Sequence, residues 1–332
     1  LDITGISVTD TTDRSKFRHH PTAQYVSIND ARKNLVVAMA DMSIFSRPSS
    51  QNAVRKWREV ISQHPKWVVI DANWHPSTIK AIIKTCWYYD PDHKKIKIAY
   101  EPVSVPKSTC LFHRGRGQPL HPNPIHAIDL ATPNQHELAA MHAAAKENEF
   151  LDSDEWWKII DALGIPSTGA RDRFVALTNS KLADEGIPLQ TIQLLPFIPT
   201  ILTKLGSEGV LMTALLKPDD PRLTNPDDAP YILSRNANGS TEVGGVYMRL
   251  FPAVEEVQDV VSVNGVGDTF LGVVVAGLAR GLKLGERLVD VAQRGAVMTL
   301  RSQEAVSPDL DKLKEELDEF AGDAGTGTED KL

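Results

Sequence analysis

Cysteine is nearly absent: Cys86 and Cys110 are the only two in 332 residues. Two thiols cannot build the disulfide framework of a small secreted domain, so a reducing, cytoplasmic setting is expected. No apolar run reaches the ~18 residues a membrane span needs, and no membrane partner is expected. The histidines, among them His113, His121, His126, His136 and His142, are scattered without metal spacing. With HExxH and CxxC also missing, a zinc site is excluded. The P-loop pattern GxxxxGK[ST] occurs nowhere. A dinucleotide fingerprint fails too, because the sixth position after Gly265 and Gly267 is Phe270 rather than glycine. A basic field is lacking as well. The net charge is −7, and residues 311–332 hold eight acids against three lysines, which leaves the body near neutral. No nucleic-acid partner is expected from such a surface.

What remains is an ordinary globular composition, 42% hydrophobic and 24% charged. A chain this long can bury about three quarters of its unfolded surface. Residues 23–28 and 35–39 are alternating or apolar runs flanking a polar turn, which predicts a hairpin. Residues 50–64 and 77–88 have helical spacing, and 67–70, 96–100 and 126–130 read as strands. Short apolar strands alternating with amphipathic helices predict a parallel α/β sheet with crossover helices. Residues 139–196 read as helices with loops, and 217–242 as a long surface loop. Residues 200–205 and 209–214 frame a Gly206-Ser207-Glu208 turn, a strand–turn–strand unit. Two apolar helices follow, over 270–278 and 288–299. Residues 311–332 read as a solvated acidic tail.

Three segments could carry chemistry. Asn264-Gly265-Val266-Gly267-Asp268 stands directly before an apolar helix. Glycines let the backbone approach a ligand, and a helix start offers unpaired N–H groups and a favourable dipole for an anion. A carboxylate beside a phosphate is repelled by it, yet it suits a base that takes a hydroxyl proton during phosphoryl transfer. The same residues also read as a turn with Asp268 near a helix start, and both readings stay open. In Thr132-Pro133-Asn134-Gln135-His136-Glu137, Asn134 and Glu137 are hard oxygen groups suited to Mg²⁺, or else an ordinary helix start. Thr203-Lys204-Leu205-Gly206-Ser207-Glu208-Gly209 is, taken alone, a strand entering a turn.

In this order the three motifs resemble the ribokinase/PfkB family of small-molecule kinases. The resemblance implies a three-layer α/β/α sandwich with a small β lid. It makes Asp268 the base and Gly265, Val266 and Gly267 an anion hole. It assigns Thr203, Lys204, Gly206, Asn264 and Gln293 to the nucleotide, and Asn134 and Glu137 to Mg²⁺ and phosphate. ATP and Mg²⁺ are the implied cofactors. Ser262-Val263 stands where the family usually has Asp-Thr, which weakens the case for its monovalent-cation site. Asp71-Ala72-Asn73 and Tyr100-Glu101-Pro102-Val103-Ser104-Val105-Pro106-Lys107 narrow the resemblance to the pseudouridine kinase branch. That branch includes kinases fused to a pseudouridine-5′-phosphate glycosidase, so a fused or associated glycosidase is an implied partner. Thr22, Gln24 and Tyr25 would then belong to the lid, about residues 20–42, with Asn73 and Lys107 on the acceptor side. The expected reaction is phosphorylation of pseudouridine to its 5′-phosphate. The competing expectations are a kinase for ribose or another nucleoside, and an inactive nucleotide- or partner-binding remnant. The kinase domain would span 1–310 and lack the family's first strands, since only 21 residues precede Thr22. Because the family's lid can serve as an interface, a homodimer is a further expectation.

Overall fold

The computed structural model describes residues 22–30, 35–45, 51–91, 95–113, 120–122, 126–165 and 168–326. The hairpin comes first. β1 (Gln24–Asn29) and β2 (Leu35–Asp41) pair antiparallel in a two-stranded sheet of their own. Their register sets Val26 opposite Met39 and Ile28 opposite Val37, so one face carries exposed apolar side chains. Residues 20, 21 and 31–34 of the expected lid lie outside the described residues.

Helix and strand then alternate as the periodicity requires. α1 (Gln51–Ile61), β3 (Trp67–Asp71), α2 (Pro76–Tyr89), β4 (Lys97–Glu101), the short α3 (Val105–Ser108) and β5 (Leu130–Ala131) follow in order. The helical region holds α4 (Gln135–Glu147), α5 (Asp154–Ala162), α6 (Ala170–Leu177), α7 (Ser180–Asp184) and α8 (Ile187–Leu194). β6 (Thr200–Lys204) and β7 (Val210–Leu216) form the strand–turn–strand unit. β8 (Ile232–Arg235) and β9 (Gly245–Phe251) complete the strands, and α9 (Val266–Ala279), α10 (Glu286–Leu300) and α11 (Lys314–Thr326) close the chain.

The main sheet has seven strands in the order β3-β4-β5-β6-β7-β9-β8. It is mixed rather than wholly parallel. β3 to β6 run parallel, and β6, β7, β9 and β8 pair antiparallel. The connections explain this: a parallel neighbour needs a crossover, whereas the tight turn after β6 can only return the chain antiparallel. Two cores flank the sheet. Ile70, Ile98, Tyr100 and Ile201 pack with Ile82 of α2 and Leu138 of α4. Ala99, Leu130, Leu202 and Met212 pack with Phe270 and Val274 of α9 and Val291 of α10. Successive strand residues thus feed opposite layers, the three-layer α/β/α arrangement expected.

Four expectations are corrected. The strand expected over 126–130 shrinks to Leu130–Ala131, because the Asp129 carboxylate accepts the Ile98 N–H at 2.8 Å and pairs with Lys97 at 2.9 Å. Side-chain bonds there do part of what a strand ladder would do. The loop expected over 217–242 contains the edge strand β8, with Ile232 and Leu233 buried. β9 has no counterpart among the expected strands; Arg249 and flanking glycines hide a segment that pairs on both sides. The tail expected over 311–332 is instead helical as far as Thr326. Leu313 and Leu317 are buried against α9 and α10, and Arg280–Asp318 (2.6 Å) and Arg294–Glu316 (2.5 Å) tie the acidic residues down.

Candidate active site

The carboxyl ends of four neighbouring strands bring polar side chains together. Asp71 ends β3 and is in register with Glu101, which ends β4. Thr132 follows β5, and Lys204 ends β6. Asp71 is in phase with Trp67, Glu101 with Ala99, and Lys204 with Leu202, so by strand alternation they project on the side of α9. This is where open α/β sheets bind ligands.

The polar row is tightly bonded. Lys204 Nζ donates to Glu101 Oε1 at 2.8 Å, and the Thr132 hydroxyl donates to Glu101 Oε2 at 2.5 Å. On the outer side, the Asn73 N–H donates to Asp71 at 2.8 Å, and Lys107 Nζ donates to Asn73 Oδ1 at 2.5 Å. Burial pushes the Asp71 carboxyl up despite the Asn73 bonds, and the nearby Asp268 charge adds to the rise while Lys107 opposes it.

α9 starts over this row. Its N-cap is Gly265, at φ +72°, and no side chain caps the helix. The first amides therefore lack side-chain acceptors, which is the condition for holding an anion. A Cβ at Gly265 would fall 1.7 Å from the Ala305 carbonyl oxygen, so both backbone angle and packing require glycine. At Gly267 the missing Cβ leaves room for Lys204 Nζ, 2.8 Å from where that carbon would be. The Asn264 N–H bonds the Ser262 hydroxyl at 3.2 Å. Asp268, in the first turn of α9, is exposed.

Beside the helix start lies a largely apolar cleft of about 470 Å³. Lys204 and Gly206 line one side, and Val263, Val266, Phe270 and Gln293 the other. Gln293 is anchored by an amide N–H to the Pro252 carbonyl at 3.0 Å. Thr203, expected along this cleft, is fully buried in β6 and does not line it. The two-residue period that aims Lys204 at α9 turns Thr203 toward the opposite layer.

Asn134 and Glu137 form a capping box at the start of α4. Asn134 Oδ1 accepts the His136 and Glu137 N–H groups, both at 2.9 Å, and Glu137 Oε2 accepts the Asn134 N–H at 2.8 Å. An amide oxygen has two lone pairs, and both are used here. Asn134 is thus a poor direct metal ligand, while Glu137 keeps one free oxygen. Burial pushes the Glu137 carboxyl up; Lys204 lowers it, and Glu101 and Asp268 raise it further. Among the described residues no three His, Cys, Asp or Glu side chains converge closely enough to cage a metal. The donor set fits a Mg²⁺ that arrives with phosphate oxygens and meets the protein at Glu137, not a preformed cage.

The structure therefore joins Gly265–Asp268, Lys204 and Glu137 with Asn73 and Lys107. It leaves Thr22, Gln24 and Tyr25 exposed on the separate hairpin. Glu101 and Asp71 hold no role in the sequence reading. The alternation of WVVID and KIAYE, each ending in an acid on the same face, was the signal that could have found them.

No family model matches this chain. Its fold is that of ribokinase: the Giardia lamblia ribokinase structure superposes over 90% of this chain and 72% of its own, with TM-score 0.52 at 11% identity. The ribokinase/PfkB resemblance is thus borne out in the fold. Arabidopsis thaliana ribokinase complexed with ribose and ATP matches 90% of this chain and 69% of its own, at TM-score 0.48 and 12% identity. In sequence, the chain is 27% identical over 297 residues to the pseudouridine-metabolizing bifunctional protein C1861.05 of Schizosaccharomyces pombe. That match covers 88% of this chain and 35% of the length of that relative. No helix among the described residues is long and apolar enough to cross a membrane.

Proposed function

We propose that this chain is an ATP-dependent phosphotransferase acting on a hydroxyl of a nucleoside or sugar, with pseudouridine as the acceptor and its 5′-phosphate as the product. The observation that carries this reading is the uncapped start of α9, placed beside an apolar cleft and Lys204, with Asp268 in its first turn. The nucleoside part of ATP occupies the cleft beside Phe270 and Gln293. Its phosphates run past Lys204 toward the amides of Gly265–Asp268. The Asp268 carboxylate accepts the proton of the acceptor hydroxyl as that oxygen bonds the γ-phosphorus. The bond from that phosphorus to the β-phosphate bridging oxygen breaks, and ADP leaves with the electron pair. Amides at the helix start stabilise charge on the transferring group in a geometry already set by folding. Mg²⁺ held at Glu137 would supply charge neutralisation on the phosphate oxygens. Asn73 and Lys107, fixed to each other next to Asp71, face the acceptor.

The similarity to a pseudouridine-metabolizing protein supports this choice of acceptor. With Asp268→Asn, turnover is expected to fall at least about 100-fold, the order of a general-base contribution, with ATP affinity kept. Product formation from pseudouridine, ribose and adenosine, set against ATP binding by calorimetry, checks this. Parent-like turnover in the variant would sink the mechanism, and ribose outranking pseudouridine would reject the acceptor.

A further inference from the structure

We propose that Glu101 is a positioning residue for the nucleotide phosphates, acting only through Lys204; this rests on the kinase reading above. Four observations converge. Lys204 lines the cleft, so its ammonium stands where the apolar wall gives way to the helix start. Its Nζ lies directly beneath the α9 loop, in the space left by the absent Cβ of Gly267. One of its three N–H donors goes to Glu101 at 2.8 Å, which leaves the others for an anion. Glu101 is itself enclosed: it is 4% exposed, and its second oxygen accepts the Thr132 hydroxyl.

The physical argument concerns the lysine stem. A Lys side chain is a point charge on four flexible carbons, and unanchored it samples many positions that miss a phosphate. Glu101 removes that freedom before the ligand arrives. The negative charge of Glu101 opposes a phosphate, but both its oxygens are already engaged by donors, so its effect reaches the ligand as the placement of Lys204. Gly267 belongs to the same device. A methyl group there would push Nζ away, while it would meet Glu101 Oε1 only at an ordinary contact distance of 3.7 Å.

A double-mutant cycle tests this, because coupled residues give non-additive effects. ATP, ADP and adenosine would be titrated calorimetrically into the parent chain, Glu101→Gln, Lys204→Met, the double variant and Gly267→Ala. Glu101→Gln is expected to weaken ATP and ADP about tenfold while leaving adenosine unchanged, a selectivity that general loosening of the fold would not produce. In the Lys204→Met background, Glu101→Gln should have no further effect. Gly267→Ala should weaken ATP in the same selective manner. Equal losses from Glu101→Gln in both backgrounds, or a parallel loss for adenosine, would overturn the inference and leave the kinase reading intact. A folded parent that binds neither ATP nor ADP would overturn both. If Glu101→Gln fails to fold by circular dichroism, Glu101→Asp replaces it in the cycle, with the same expected selectivity and the same overturning results.

Discussion

Asp71 shows how burial of one side chain at this site costs stability. Its carboxyl is raised above the ordinary 3.8, chiefly by burial. Between that ordinary value and the raised one, the folded chain binds more protons than the unfolded chain. Stability therefore falls as pH rises through that window, and the full penalty is present at neutral pH. Asp71→Asn removes the penalty and keeps an oxygen for the Asn73 N–H. It is expected to raise the neutral-pH melting temperature, with the gain vanishing below about pH 4; thermal unfolding across pH 3–8 measures this. Asp129 behaves with opposite sign. Burial alone would raise it, but His126 and Lys97 together hold it below its usual range. Its contribution is present at neutral pH and is lost as pH falls through its depressed value. The same residue type thus reports two environments, one strained at the site and one satisfied at the far end of the sheet.

At the scale of elements, α11 carries the clearest energetic lesson. Its acids suggest a solvated segment, yet Leu317 on the inner face is 4% exposed and sits in the core under α9 and α10. Leu317→Ala is expected to cost about 2 kcal/mol, the low end for a buried leucine. A shift in the urea midpoint checks it, since a solvated tail residue would move stability by no more than about 0.5 kcal/mol. The starts of α4 and α9 form a pair of opposites. α4 is closed by its own capping box, so its amides are spent locally. α9 is opened by Gly265, so its amides remain available to a ligand. Both begin near the end of β6, where Lys204 bridges to Asn134 and its N–H bonds the Pro133 carbonyl at 2.8 Å.

For the whole molecule, the sheet divides the labour. Its parallel half presents strand ends to the site, and the antiparallel half supports the cleft through β7 and β9. Binding that selects this folded arrangement must stabilise it. ATP with Mg²⁺ at about 100 times its Kd is expected to add about 2.7 kcal/mol to unfolding stability, and a chelator should reduce the gain. Differential scanning fluorimetry with and without EDTA measures both, and an unchanged melting temperature at saturating ATP would count against the cleft as a nucleotide site.

What could be read from the residue order alone was everything governed by local rules. Turn chemistry marked the hairpins, 3.6-residue spacing marked α2, α9 and α10, and the glycines before Asp268 marked a helix start left open. Charge lacked that legibility. The acids of 311–326 dominate a composition count, but whether a helix face is buried depends on how it packs on α9 and α10. β9 was hidden by Arg249 and its flanking glycines, and pairing with β7 and β8 is what makes it a strand. Lys204 and Glu101 are 103 residues apart, and their contact exists only because β4, β5 and β6 lie side by side. Local sequence therefore determined which segments could be helix, strand or anion-holding turn. Only the tertiary structure decided which acids meet which lysines, because a partly buried ion pair is set by strand order and side-chain phase across the sheet.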